Sequence, residues 1–182
     1  MNKISLVAGM KRIGLLSDTH GLIPKALENF FSECDEIWHA GDWGSLELVE
    51  ALEKFKPLRA VFGKIDGQEI RIRMPEVLEF EVEGLRVCML HIGGYPGKYS
   101  PLFKKVVRNK QFDLMVSGHS HILKVMRDPL LGMMHMNPGA AGKHGFHKVC
   151  TALRFEIEAG QLKNLEVWEQ KPELVQPGFK IG

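Results

Sequence analysis

Asp18, His20, Asp42, His119 and His121 fall into three short motifs: Ser17-Asp18-Thr19-His20, Gly41-Asp42 and Gly118-His119-Ser120-His121. Carboxylate oxygen and imidazole nitrogen are metal ligands, and a mixed set suits Mn, Fe, Zn or Co better than Mg or Ca. A lone aspartate behind a strand is more often a helix cap. A lone buried histidine is more often a satisfied core residue. Five such groups in the order Asp-x-His, Gly-Asp, Gly-His-x-His point to a metal site, because each motif follows an apolar run. His91, directly after the run at residues 85–90, makes a sixth. In open α/β sheets, functional groups gather beyond the carboxyl ends of strands, so six groups from such strand ends can converge. His119 and His121 are alternate residues, and in extended chain they point the same way. Gly41, Gly63 and Gly118 each precede a polar candidate. Glycine lets a chain leave a strand at unusual angles and lets backbone approach closely.

The elements that must position these groups can be read from the pattern. Residues 13–16 are a short apolar run of the buried-strand type. Residues 24–31 suit a helix with proline in its first turn and Ala26, Leu27, Phe30 and Phe31 on one face. Residues 36–39 form a second strand. Ser45 then caps a helix with Leu46, Val49, Leu52 and Phe55 inward and Leu48 flanking, and Pro57 stops it. Residues 59–62 make a third strand. This alternation argues for a parallel α/β core. Further on, Leu78, Phe80 and Val82 alternate with glutamates, Gly84 turns the chain and residues 85–90 return as a hairpin. Ser100-Pro101 opens a helix to about Asn109. Residues 114–117 form another buried strand, followed by short strands at 122–126 and 133–136. Leu153, Phe155 and Ile157 alternate with charged residues, Ala159-Gly160 turns, and Leu165 and Val167 alternate on the return. The tail from Pro172 reads as loosely attached.

Composition bounds the function. A chain of 182 residues, 45% apolar and 25% charged, suits one ordinary globular domain. A net charge of +2 is not that of a nucleic-acid binder. Cys34, Cys88 and Cys150 are far apart and odd in number, which fits reduced thiols in a cytoplasmic protein. No run approaches a membrane span. Met10-Lys11-Arg12 reads as a natural start, with residues 1–9 as an N-terminal extension.

These residues resemble the calcineurin-like metallophosphoesterases, whose pattern is D-x-H, G-D, G-N-x-D, H and G-H-x-H. Here it stands as Asp18-Thr19-His20, Gly41-Asp42, Gly63-Lys64-Ile65-Asp66, His91 and Gly118-His119-Ser120-His121. Asn137-Pro138-Gly139 resembles the N-P-G-S segment of the small bacterial phosphodiesterase branch. The resemblance covers about residues 10–170 as one domain, with 171–182 as a C-terminal tail. It implies a four-layer α-β-β-α sandwich. Asp18, His20 and His121 would hold a first metal, His91 and His119 a second, and Asp42 would bridge. Mn is the expected ion, with Fe, Zn or Co open, and one or two ions bound. The implied reaction is attack of metal-activated hydroxide on a small phosphodiester. Small members often self-associate, so a homo-oligomer is an open expectation, and neither membrane nor nucleic acid is an expected partner.

Lys64 departs from the family, which has a metal-binding asparagine there. A protonated lysine has no lone pair and cannot ligate. It can turn aside and leave the second metal short of ligands, bind as a neutral amine, or set its ammonium in place of that metal. Weakened second-metal binding is the favoured expectation. Ile65 stands where the protein-phosphatase branch has a proton-donating histidine, so leaving groups of low pKa would be favoured. Asp66 is expected to pair with backbone in its own turn. His39 reads as packing, and His144 and His147, beside Lys143, read as a solvated loop. Tyr95, Lys98 and Tyr99 could hold the organic part of a substrate. Two other functions compete with the enzyme. One is a catalytically weakened scaffold, as in the retromer branch of the family, with Lys64 as an early mark of decay. The other is a nuclease, disfavoured by charge.

Overall fold

The computed structural model describes residues 9–178. Its elements are β1 (Met10–Leu16), α1 (Ala26–Phe30), β2 (Glu36–His39), α2 (Leu46–Phe55), β3 (Leu58–Ala60), α3 (Gln68–Arg73), β4 (Val77–Val82) and β5 (Leu85–Leu90). There follow β6 (Gly94–Tyr95), β7 (Lys98–Tyr99), α4 (Pro101–Val107), β8 (Leu114–Val116), β9 (Leu123–Arg127), β10 (Met134–Pro138), β11 (Cys150–Glu158) and β12 (Gln161–Gln170). One five-stranded sheet has the order β12-β11-β1-β2-β3, the other β4-β5-β8-β10-β9. β1, β2 and β3 run parallel, as do β5, β8 and β10, while β4, β9, β11 and β12 pair antiparallel at the flanks and β6 and β7 form a separate two-stranded sheet.

The short apolar runs are explained by burial on both faces. Ile13, Leu15 and Trp38 point between the sheets, where they meet Val87, Met89, Leu114 and Val116. Their chain neighbours Leu16 and Ile37 point outward to Leu27, Val49 and Leu52 on α1 and α2. On the other sheet, Cys88, Leu90 and Met115 turn outward to Phe103 of α4. Three apolar interfaces thus separate four layers, α-β-β-α. The last sheet pair adds Phe155, whose ring sits edge-on to Trp38 at 5.6 Å.

Local signals acted unevenly. Ser100 caps α4, its Oγ accepting from Phe103 N–H at 3.1 Å. Ser45 occupies the start of α2 but its side chain makes no cap hydrogen bond. Leu48 and Ala51 are buried in that helix with Val49 and Leu52, and Leu46 and Phe55 pack half-buried against the same cluster, so the inward face is the expected one made broader. The hairpin turn at Glu83 and Gly84 has both residues at positive φ, 45° and 80°, which matches the twist of the strands it joins. β12 departs from simple alternation. Its register with β11 slips between Arg154 and Glu156, Asn164 takes φ 49°, and Leu165 and Val167 remain half-exposed. α3 and the β6–β7 hairpin were not legible, being too short to show a period. The segment after Gln170 is not loose as far as Gly178. Val175 is buried, and Lys25 N and Gly178 N bond to Gln176 O and Ile23 O at 2.8 and 2.7 Å. Residues 1–8 of the expected extension and 179–182 of the tail lie outside the described residues. Among the described residues, no helix is long and apolar enough to cross a membrane.

Leu15 is wholly buried between the sheets, whereas Leu130 is 92% exposed. Leu15→Ala is expected to lower unfolding stability by about 2–5 kcal/mol. Leu130→Ala should change it by less than about 0.5 kcal/mol. Urea titrations of both variants check the assignment of the central layer, and equal effects would contradict it.

Candidate metal centre

The parallel strands β1, β2, β5 and β8 all end on one side of the molecule, and the chemistry-bearing residues begin there. Asp18, His20, Asp42, His119 and His121 have φ of 53°, 47°, 58°, 69° and 56°. Left-handed backbone costs a non-glycine residue roughly 1–2 kcal/mol, and such strain persists only where surroundings over-determine it. Here the loops hold one another. Asp18 N bonds to Gly41 O at 2.9 Å, His20 N to Asp42 O at 3.0 Å and Gly118 N to His91 O at 3.0 Å. The Asp18 carboxylate accepts from His119 N at 3.0 Å. His119 and His121 therefore do not point the same way from extended chain, as their spacing suggested. Each sits in its own left-handed turn, and they enter different clusters.

Asp18, His20 and His121 form one group whose ligand atoms all lie within 4.8 Å of one another, and Asp42, His91 and His119 form another. Asp18 Oδ1 lies 3.2 Å from His121 Nε2 and 4.0 Å from His20 Nε2. The Asp42 carboxylate reaches both groups, with Oδ1 3.2 Å from His91 Nε2 and Oδ2 3.9 Å from His20 Nε2. All six residues are thus brought together.

Polar satisfaction tests whether a cation fits. Asp18 Oδ1 and His91 Nε2 are buried with no hydrogen-bond partner. His91 Nδ1 bonds to Ala40 O at 2.7 Å, so it carries the proton. In the neutral ring, Nε2 is then a bare lone pair facing a carboxylate oxygen. Only a proton or a metal cation between them relieves two acceptors at that distance. The electrostatics agree. Burial alone would lower His91, but the Asp42 carboxylate facing its Nε2 and the charge of Asp18 raise its pKa. Burial pushes Asp42 up, yet His91 and the Ile65 N–H outweigh it and bring it to about 2. His20 and His119 are lowered chiefly by burial, which keeps their lone pairs free. The residues fit divalent metal.

Supporting groups come from several loops. Asp66 does more than close its own turn. Its buried carboxylate accepts from Gly63 N at 2.6 Å, Asp42 N at 3.1 Å, Trp43 N at 2.8 Å and Gly44 N at 3.2 Å. It thereby clamps the loop after β3 onto the loop after β2. Gly63 makes that contact feasible, since a Cβ there would fall 2.1 Å from Asp42 N and Oδ1. The close approach glycine permits is to another loop. His39 packs as expected, stacked on Trp43 at 3.5 Å, with its pKa pushed well below the ordinary value by burial. Asn137 Nδ2 donates to Gly118 O at 2.8 Å and fixes the turn that carries His119.

Lys64 is exposed and lines a small cavity with His91, Ile92 and Arg71, beside the second group. Its charge adds to burial and His91 in lowering His119. Ile65 is half-exposed and carries no proton to donate. The segment at 142–148 is more than a solvated loop. The His144 ring lies 5.0 Å from His20, and the His147 ring 5.3 Å from His121. Two histidines three residues apart, directly after Asn137-Pro138-Gly139, were the signal available for this.

Four layers with a carboxylate and imidazole centre at the strand ends define an α-β-β-α protein built to hold divalent metal. The family model described as the calcineurin-like phosphoesterase superfamily domain matches residues 10–160, and the chain belongs to that superfamily. It is 31% identical over 135 residues to a probable metallophosphoesterase of Methanothermobacter thermautotrophicus, covering 70% of this chain and 76% of that one. The fold matches Vps29 of Chaetomium thermophilum with TM-score 0.70 at 14% identity, over 88% of this chain and 97% of that one. It also matches a structure described as a novel archaeal phosphodiesterase, with TM-score 0.66 at 18% identity, over 87% and 99%. The family is divalent-metal dependent, and two curated relatives are named as probable metallophosphoesterases.

Two outcomes follow from this geometry. Asp66→Asn replaces two acceptors by one and sets an amide donor against N–H groups. Urea titration should show a loss of about 1–3 kcal/mol, and calorimetric titration with Mn²⁺ should show weaker binding. Second, metal affinity should fall as pH drops through the raised pKa of His91, because the proton must leave before metal binds. His20 and His119, with lowered values, stay neutral over that window. Calorimetry in buffers of different ionisation enthalpy should find proton release that increases below the His91 pKa and disappears above it.

Proposed function

We propose that this chain is a metal-dependent phosphodiesterase of a small phosphodiester. The observation that supports it most is the pair of buried, unpartnered atoms, Asp18 Oδ1 and His91 Nε2, within a convergent set of six ligand groups. In this reading Asp18, His20 and His121 hold one ion, His91 and His119 the other, and Asp42 is shared. Bound divalent ions supply Lewis acidity toward a phosphoryl oxygen and lower the pKa of a coordinated water. The carboxylates and imidazoles set the positions of that charge, and the left-handed turns keep them from relaxing apart. The mixed oxygen and nitrogen donors suit Mn, Fe, Zn or Co, and Mn is the ion proposed. Lys64 offers no lone pair while protonated, so the second position binds its ion more weakly than the first. Ile65 cannot protonate a leaving oxygen, so esters with acidic leaving groups are the better substrates. Three free, buried cysteines fit a reducing, cytoplasmic compartment.

A second reading, a silent scaffold on the same fold, is favoured by one observation: Lys64 in place of a metal-binding side chain. Hydrolysis of bis-p-nitrophenyl phosphate with Mn²⁺ separates the two. The parent should turn over and stop on chelation. Asp42→Asn should lose more than the roughly 10–100-fold typical of an outer-shell change. Lys64→Asn should raise the number of ions bound in calorimetry. Activity found only in Lys64→Asn would support the scaffold instead.

A further inference from the structure

A cavity of about 380 Å³ opens directly from His119, on the side of the second ligand group. Ile92, Tyr95, Lys98, Ile122 and Lys124 complete its working surface. Ile92 and Ile122 are 45% and 61% exposed, an unusual outlay of apolar surface beside a charged centre. Lys124 Nζ lies 3.7 Å from the Tyr95 ring centroid. None of the residues lining this cavity is acidic.

The wall is built to stay in place. Tyr95 and Lys98 belong to the β6–β7 hairpin, and the expected substrate-binding role does not extend to Tyr99. Its hydroxyl turns away and donates to Asp128 Oδ2 at 2.5 Å. Ser100 N bonds to Gly93 O at 2.9 Å and closes the hairpin base. Beneath it, Ser117 Oγ donates to Gly94 O at 3.3 Å and lies 3.1 Å from His135 Nε2. Burial brings His135 to about 4, so this support stays neutral and adds no charge to the floor. The hairpin is therefore anchored by Tyr99, while Tyr95 and Lys98 are left facing the cavity.

We infer that this cavity is a subsite for the non-leaving group of the diester. It takes a planar aromatic group that carries its own negative charge, of the nucleoside phosphate class. An aromatic face and two isoleucines suit a base or aryl ring. Lys98 and Lys124, with no acidic neighbour in the lining, suit a second anion. The volume lies within the range of small-molecule pockets. This inference rests on the phosphodiesterase reading of the adjoining centre.

The test compares two esters that share the p-nitrophenolate leaving group, with Mn²⁺ present. One is methyl p-nitrophenyl phosphate, the other thymidine 3′-phosphate 5′-(p-nitrophenyl phosphate). The parent should show a KM at least about tenfold lower for the thymidine ester. That ratio should collapse toward one in Tyr95→Ala and Lys124→Ala and survive in Leu130→Ala. KM values within twofold of each other in the parent, or a ratio kept in both subsite variants, would overturn the subsite. If the parent cleaves neither ester, the phosphodiesterase reading fails, and a binding arm decides the subsite separately. Thymidine 3′,5′-bisphosphate is titrated into chelated protein and followed by NMR, with inorganic phosphate as reference. Weaker bisphosphate binding by fivefold or more in the Tyr95→Ala/Lys124→Ala double variant supports the subsite. Unchanged binding overturns it.

Discussion

Asp18 and Asp42 are two buried carboxylates that each lie within 4.0 Å of both His20 and His91. Two like charges out of water repel each other and lack hydration, and such an arrangement is stable only with a compensating cation or proton. The rest of the centre follows from this demand. Five of the six ligand residues hold left-handed backbone, which directs short side chains inward from strand ends. Gly63 and Asp66 lock the loops so that the strained turns cannot unwind. The apolar layer between the sheets supplies the stability against which this strain is held.

The centre is asymmetric in its neighbours. The first ligand group is flanked by the rings of His144 and His147, which make that side aromatic and polar. The second is flanked by Lys64 on one side and by the cavity of Tyr95 and Lys124 on the other. Positive charge therefore gathers beside the second group. A substrate with anionic groups on both sides of its scissile bond would be oriented by that difference, the reacting phosphate toward the ligands and the remainder toward the cavity.

The two sheets were largely readable, because strand runs such as residues 36–39 and 85–90 carry a local apolar pattern. The β11 alternation of Leu153, Phe155 and Ile157 was likewise visible, whereas the slip opposite Asn164 was not. A bulge depends on pairing with another strand and leaves little local trace. α3 escaped notice since its six residues bury only Ile70. The tail, polar and proline-bearing, looked loose, but Val175 is buried and the backbone of Gln176 and Gly178 bonds to the loop that precedes α1.

For the centre, the sequence alone established which side chains are candidates, in what order they come and that each follows a strand. Those are local properties of residue type and hydrophobic pattern. How they group, His121 beside Asp18 and His20 and His119 beside Asp42 and His91, was implied only by the family resemblance, and the tertiary structure brings it about. It also decided that Asp66 clamps two loops, that His144 and His147 meet the ligands, and that Tyr95 faces a cavity while Tyr99 turns away. His20 and His121 are 101 residues apart in the chain and 3.3 Å apart in space. Distances of that kind are set by strand order and loop geometry acting together, and no local stretch of sequence encodes them.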